Sequence, residues 1–274
     1  MNLKMVITDL DGTLLNPDRE VSQDDLAALH QLGHREICRV IATGRSVYSF
    51  SKVIPDEFPI DFLIFSSGAG VMDWQTKEII NSNRLTAEET LTIIEHLKNN
   101  QFDFMVHRII PGNHKFFYHQ SGIDNKDFLH RIEVYKQHAE QIEHRDLDDP
   151  SSQFVVIFPP DTKKFEHLVE DLSSFKIIRT TSPFDHKSTW IEIFPENVSK
   201  GRTAEWLADR LGIPRNSVLS IGNDYNDIDL LDWSGQSYVV ANAPDELKQK
   251  YQVTQPNHLS AFSTVVKQFL QHTH

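Results

Sequence analysis

Two aspartates two residues apart, Asp9 and Asp11, stand where the apolar run Met5-Val6-Ile7 gives way to Thr8-Asp9-Leu10-Asp11-Gly12-Thr13. Residues i and i+2 of an extended chain point to the same side, so both carboxylates share one side as the chain leaves a strand. Gly12 permits the tight turn that lets them face a common ligand. A pair so placed suits proton transfer or a hard cation. A solvated turn explains a lone Asp-x-Asp-Gly equally well. The longer string Asp-x-Asp-Gly-Thr, however, arises by chance in a chain of this length only on the order of a few times in a thousand, which favours function.

Three further stretches extend the chemistry. Ile41-Ala42-Thr43-Gly44-Arg45 repeats the layout of apolar strand, hydroxyl residue and glycine before a helix start. A hydroxyl and free backbone N–H groups at such a junction can hold a phosphate oxygen, although Thr43 as a plain N-cap explains it more cheaply when it is taken alone. In Val198-Ser199-Lys200-Gly201 a lysine falls in the first turn of an expected helix. The dipole disfavours it there by roughly 0.3–1 kcal/mol when exposed, so an anion beside it would make physical sense of the placement. Ser220-Ile221 then run into Gly222-Asn223-Asp224-Tyr225-Asn226-Asp227, a short strand ending in glycine and a burst of oxygen donors. Converging with Asp9 and Asp11, these would form the hard-oxygen site that Mg2+ takes with one or two carboxylates, waters and substrate phosphate.

Such residues need a frame. Strands are predicted at 5–7, 37–42 and 62–65, with a helix at 22–32 that Ser22 caps and Gly33 stops. After the middle of the chain come a strand at 190–194, a helix at 197–212 and strands at 218–221 and 238–241. This is the βαβ rhythm of a parallel sheet covered on both faces, which binds ligands at the carboxyl ends of its strands. The middle reads differently. A hairpin at 71–73 and 78–80 precedes a capping box, Thr86 with Glu89, that opens a helix to about residue 98. Strands at 102–107 and 115–119, a helix at 126–137, a strand at 153–158, a helix at 162–172 and a strand at 175–180 follow. The fold class is therefore α/β, a doubly wound, Rossmann-like parallel-sheet core (1–83 and 187–274) with an inserted α+β domain (84–186).

Composition sets the limits. The chain has 274 residues, 39% hydrophobic and 24% charged, and a formal charge of −12. That charge disfavours non-specific nucleic-acid binding and makes an anionic substrate depend on a local positive site. Without a run of roughly 18–20 apolar residues or a secretory leader, no membrane association and a cytoplasmic location are expected. Cys38 is the only cysteine, so no intrachain disulfide or cysteine metal cage can form, and a buried, inert thiol is expected. His30 and His34 have the spacing of a helical metal pair but straddle the predicted stop at Gly33, so no zinc site is assigned.

In order and spacing, Asp9-Leu10-Asp11-Gly12-Thr13, Thr43-Gly44-Arg45, Lys200 and Gly222-Asn223-Asp224-Tyr225-Asn226-Asp227 resemble the four motifs of the haloacid dehalogenase-like (HAD) hydrolases. The resemblance is to the Cof-type phosphatases, with a large inserted cap of the class IIB type, and it covers nearly the whole chain. It implies a Mg2+-dependent phosphatase of small phosphorylated metabolites, sugar phosphates foremost, working through an aspartyl-phosphate. Asp9 is then the nucleophile, Asp11 the acid and base, and Lys200 the counter-charge. Thr43, Gly44 and Asn226 hold phosphate, Asp227 orients Lys200 or metal-bound water, and Thr13 and Arg45 support the loops.

The fourth motif usually begins Gly-Asp, whereas this chain has Gly222-Asn223-Asp224. Either Asn223 supplies an amide oxygen to the metal or the turn shifts so that Asp224 ligates; charge favours Asp224. Relatives commonly carry Asn-Gly-Ala where this chain has Ser66-Ser67-Gly68-Ala69. The inserted domain would read the leaving group, with His107, Arg108, His114, Lys115 and His119 as candidates and Arg45 facing them from the core. A monomer or weak homo-oligomer is expected. A receiver domain shares the residue types but not the chain order. A sugar phosphomutase, or a sensor that binds without turnover, would keep the motifs.

Overall fold

The structure, a computed structural model, describes residues 2–142, 149–160, 168, 170–182, 184–185 and 187–271. The chain divides into two units, Met1–Asn81 with Ser199–His274, and Ser82–Val198 between them. Along the chain run β1 (Met5–Thr8), β2 (Cys38–Ala42), β3 (Phe62–Phe65), β4 (Gly70–Asp73) and β5 (Ile79–Ser82). They are followed by β6 (Phe104–His107), β7 (Phe116–His119), β8 (Ala139–Gln141), β9 (Gln153–Phe158), β10 (Lys176–Thr181) and β11 (Thr189–Phe194). The last strands are β12 (Val218–Gly222), β13 (Gln236–Val239) and β14 (Gln252–Val253). Helices are α1 (Gln23–His34), α2 (Val47–Phe50), α3 (Ala87–Asn99) and α4 (Lys126–Val134), then α5 (Lys200–Arg210), α6 (Ile228–Trp233), α7 (Asp245–Lys250) and α8 (Ala261–Leu270).

The first unit is built on a sheet of order β14-β13-β12-β1-β2-β3-β4-β5. Neighbours are parallel from β14 through β3, and β4 runs antiparallel to β3. β1 is buried along its whole length, which is why it is apolar at every position up to Thr8. Met5 and Ile7 pack with Ala204, Leu207 and Ala208 of α5, leaving Val6 and Thr8 to the opposite face by alternation. The chain leaves β1 for β2 on one side and returns through β12 on the other. The carboxyl end of β1 is therefore the switch point where open α/β sheets bind ligands.

Two expectations for this unit are corrected. Helix α1 does not stop at Gly33; it runs to His34, and Glu36 takes the left-handed conformation at φ 58°. Gly33 answers a packing demand instead, because a Cβ there would come within 2.4 Å of the Arg39 guanidinium. His30 and His34 thus lie one turn apart on one helix, both exposed. Among the described residues no metal-holding group of three or more Cys, His, Asp or Glu forms. Cys38 is half-buried instead of buried, with burial pushing its thiol up to about 12.

The second unit has a sheet of order β10-β11-β9-β6-β7-β8, antiparallel except where β8 runs parallel to β7. Here lies the main correction. Residues 190–194, expected in the parallel core, form β11, which pairs with β9 and β10. The insertion therefore ends at Val198 and not at 186. The physical cause is burial on both faces: Ile191 and Ile193 enter one cluster and Trp190 another, and even Glu192 is buried. Helix α4 ends at Val134, short of 137, and β8 was not anticipated. The helix expected at 162–172 falls largely outside the described residues. No helix among the described residues is long and apolar enough to cross a membrane.

Candidate active site

The site grows from the end of β1. Asp9 N–H still donates to the Ile221 carbonyl of β12 at 2.8 Å, so the aspartate keeps the geometry of the sheet although the ladder ends there. Gly12 then turns with φ +76°, and a Cβ on it would lie 2.5 Å from Asn223 Nδ2. That left-handed backbone conformation is the one glycine adopts without cost. Thr13 is fully buried, and its Oγ1 has no hydrogen-bond partner among the described residues.

Lys200 opens α5, with Ser199 as its N-cap accepting from Arg202 N–H. Its side chain is wholly buried, and Nζ donates to Asp9 Oδ1 and Asp227 Oδ1, each at 2.7 Å, with Asn226 Oδ1 at 3.4 Å. Asp227 is in turn fixed through its other oxygen, which accepts from Asn223 N–H at 2.8 Å and Asp224 N–H at 3.1 Å. Gly222 makes room for that carboxylate, since a Cβ would sit 2.6 Å from Asp227 Oδ2. Asp224 Oδ1 accepts from Tyr225 N–H at 2.8 Å as the cap of the short turn that follows.

The second loop closes the ring. Thr43 is buried, and its Oγ1 accepts from Arg45 N–H at 3.1 Å. A Cβ built on Gly44 would lie 3.5 Å from Ser67 Oγ and 3.7 Å from Asn226 Nδ2, so this loop abuts the fourth stretch. Arg45 forks onto Asp11, Nε to Oδ2 at 2.7 Å and Nη2 to Oδ1 at 2.6 Å, and also donates to the Ser49 carbonyl.

Electrostatics follow from burial. Desolvation lifts the Asp9 carboxyl to about 7; Lys200 opposes the rise, while Asp227 and Asp11 add to it. Burial works against the charge of Lys200, but Asp227 and Asp9 together hold its ammonium above the ordinary lysine range. One ammonium shared by two carboxylates leaves the cluster short of positive charge. That deficit, with Asp9 at the strand end and the Asn223 amide beside Gly12, fits a divalent cation that needs one or two carboxylates and otherwise takes waters and phosphate oxygens.

The loop after β3 carries more of the site than its residue types suggest. Ser66 and Ser67 hold positive φ, 48° and 54°, uncommon without glycine, and both are buried. Gly68 lies so close to the Ser199 backbone that a Cβ would come within 2.4 Å of its carbonyl oxygen, and Thr203 Oγ1 donates to Gly68 O. This loop clamps the start of α5 and so helps to fix Lys200. Its signal was the Ser-Ser-Gly directly after a buried strand.

The five candidates in the second unit do not form one cluster. His107 is buried and paired to the Asn113 carbonyl, with burial pushing its imidazole down to about 3. Arg108 pairs with Glu140 over the Phe117 ring. His114 packs edge-on against His138, Lys115 is exposed, and His119 lies against Phe104, three positions along the hairpin from His107.

At the switch point of the α/β sheet the buried Lys200 thus joins two carboxylates, Asp9 and Asp227, at the end of β1. Residues 6–263 match the haloacid dehalogenase-like hydrolase family, and the chain belongs to it. The 5-amino-6-(5-phospho-D-ribitylamino)uracil phosphatase YwtE of Bacillus subtilis is 25% identical over 294 residues, covering 98% of each chain. The HMP-PP phosphatase of Klebsiella pneumoniae is 27% identical over 251 residues, covering 89% of this chain and 86% of its own. Among solved structures, the HAD subclass IIB sugar phosphatase BT4131 superposes with a TM-score of 0.78 at 17% identity, covering 97% of this chain and 98% of its own. The phosphatase BT1666 of Bacteroides thetaiotaomicron gives 0.79 at 20% identity, covering 97% and 95%. The chain is thus a hydrolase of this family, and the class of its full-length relatives is phosphoric monoester hydrolysis.

Proposed function

We propose that this hydrolase is a Mg2+-dependent phosphatase of a small phosphorylated metabolite, with the reaction passing through a phosphoryl group on Asp9. The observation that carries the reading is the buried Lys200 bridging Asp9 and Asp227 at the end of β1. It holds one oxygen of Asp9 and leaves the other to attack phosphorus, opening the bond to the leaving oxygen. Asp11 gives that oxygen its proton, then takes one from the water that hydrolyses the aspartyl-phosphate, and Asp9 is regenerated as phosphate departs. Before it can do so, Asp11 must part from the Arg45 fork that occupies both its oxygens. Thr43, Gly44 and Asn226 provide hydrogen bonds to the phosphoryl oxygens beside the Lys200 charge.

A divalent cation, when bound, neutralises charge on the phosphoryl oxygens. Asp9, the Asp11 backbone carbonyl and Asn223 are the residues that would hold it. The geometry supports Asn223 over Asp224, reversing the order that charge alone suggested, because Asn223 abuts the Asp11-Gly12 turn while Asp224 caps its own. Sugar phosphates lead as substrate class because a full-length structural neighbour is a sugar phosphatase. The second unit is read as the cap that selects the leaving group, and the setting as cytoplasmic, where a lone thiol stays reduced.

The test is phosphate release from a panel of phosphorylated sugars, nucleotides and cofactors, with Mg2+ or EDTA, beside Asp9→Asn. Metal-dependent release that Asp9→Asn abolishes is expected. Release that persists in Asp9→Asn removes the nucleophile assignment, and no release from any compound removes the phosphatase reading.

A further inference from the structure

The second unit holds a cation that this chemistry does not use. Arg131 lies on α4 over the sheet face that carries Met105, Phe116 and Trp190. Its guanidinium carbon is 4.6 Å from the Trp190 ring centre, 5.4 Å from Tyr135 and 6.0 Å from Phe116. Those rings steady the cation through their faces but offer no acceptor to its N–H bonds. The polar contact it makes is Nε–H to the Met105 thioether at 3.2 Å, a weak acceptor.

The nearby carboxylates do not complete it. Asp127 spends its oxygens on Ser182 Oγ and Trp190 Nε1. Among the described residues, neither Asp127 nor Glu192 forms an ion pair with Arg131, although both favour its charge through space. Both Nη groups are left without an acceptor among the described residues. Burial pushes the guanidinium down from its ordinary pKa, yet the side chain keeps intermediate exposure, so the cation is recessed and still open to solvent.

Beside it two buried acceptors are also unmet. His107 and Gln153 are cross-strand neighbours on the same face, each 4% exposed. Because His107 donates Nδ1–H to the Asn113 carbonyl, its Nε2 is an acceptor, and neither that atom nor Gln153 Oε1 has a partner among the described residues. Phe116 lies between the two: its ring centre is 5.1 Å from that of His107 and 6.0 Å from the Arg131 guanidinium carbon. Buried polar groups are normally satisfied by protein, water or ligand, and a guanidinium fork with free N–H groups matches the oxygens of a carboxylate or phosphate.

We propose that this face of the second unit binds a small hydroxylated oxyanion, its acid group forked by Arg131 and its hydroxyls reaching His107 and Gln153 directly or through ordered water. The acid group belongs either to the non-reacting end of a substrate, an assignment that rests on the phosphatase reading, or to a free anion acting as effector.

Binding is tested in the full chain carrying Asp9→Asn, so that no turnover runs. Glycerate and inorganic phosphate are titrated in turn while the Trp190 indole N–H signal, identified by its loss in Trp190→Phe, is followed by NMR. A saturable shift is expected, weakened about tenfold or more by Arg131→Gln, which removes the charged fork, and several-fold by Gln153→Leu. A Trp190 signal that moves with neither probe overturns the proposal, as does an unchanged titration in Arg131→Gln. If Arg131→Gln fails to fold, Arg131→Lys, which keeps the charge but loses the fork, and Gln153→Leu decide in its place.

Kinetics in the chain with Asp9 intact separate the sources. For a substrate's own acid group, Arg131→Gln raises KM for a sugar phosphate bearing a second acid group relative to one without it. For an effector, glycerate changes turnover of the substrate that lacks a second acid group saturably. Binding in Asp9→Asn with no phosphate release from any compound overturns the phosphatase reading and leaves this one standing.

Discussion

At the residue scale the molecule turns on Lys200, whose ammonium is the shared partner of two buried carboxylates. Removing one member of a buried ion pair leaves an uncompensated charge, at a cost of about 3–5 kcal/mol. Lys200→Met strands both Asp9 and Asp227, whereas Asp9→Asn leaves the Lys200–Asp227 pair intact. Lys200→Met is therefore expected to lose that range of stability in urea unfolding, and Asp9→Asn much less. Equal losses would mean that the shared-lysine picture is wrong. His107 sets a second expectation. Burial holds it at about 3 in the folded chain, against an ordinary value of about 6.5 in the unfolded one. Between those values only the unfolded chain binds the proton, so stability is full above pH 6.5 and falls as pH drops towards 3. The charges of Arg131 and His114 push in the same direction. At pH 5 the loss from this group is about 2 kcal/mol. The measurement is unfolding free energy at pH 7 and pH 5 for the native chain and His107→Gln, and the variant should lose that much less; an equal loss assigns the acid sensitivity elsewhere.

At the scale of elements, the turn between β12 and α6 shows what sequence can and cannot carry. The oxygen-rich composition of Gly222 to Asp227 announced a site, and strand-to-loop junctions at Asp9 and Thr43 could be read from apolar runs ending at small residues. Which of Asn223 and Asp224 faces Asp9 could not, since it depends on which one caps the turn, a matter of backbone torsions that residue types leave open. Residues 190–194 misled for a related reason: burial on both faces gives one apolar pattern whether neighbouring strands are parallel or antiparallel. Gly33 lies inside the helix with its Cα turned to the Arg39 guanidinium, and Glu36 takes the left-handed position that residue preference alone would give to glycine. Asp224→Ala should cost about 1 kcal/mol of stability through the lost cap. Asn223→Ala should do little to stability but weaken the rise in melting temperature on adding Mg2+ more than Asp224→Ala does. The reverse ranking in a Mg2+ titration followed by melting temperature would return the ligand to Asp224.

For the whole molecule the question is how a chain of formal charge −12 receives a phosphorylated substrate. At the proposed centre Asp9, Asp227, Asp11 and Asp224 outnumber Lys200 and Arg45, so a bound cation is needed merely to approach neutrality there. The field beyond the site is still that of an acidic protein, which opposes the approach of a dianion. Salt acts on these two parts differently. The Debye length shrinks from about 30 Å at 0.01 M to about 8 Å at 0.15 M, which screens the distant carboxylates while leaving buried contacts such as Lys200 to Asp9 little changed. With Mg2+ saturating throughout, kcat/KM for a sugar phosphate should therefore rise over that range, with kcat nearly constant because approach and not chemistry is relieved. A fall in kcat/KM would mean that positive groups outside the Asp-Lys-Asp centre steer the substrate, and charge-removing variants of the exposed lysines and arginines would then locate them.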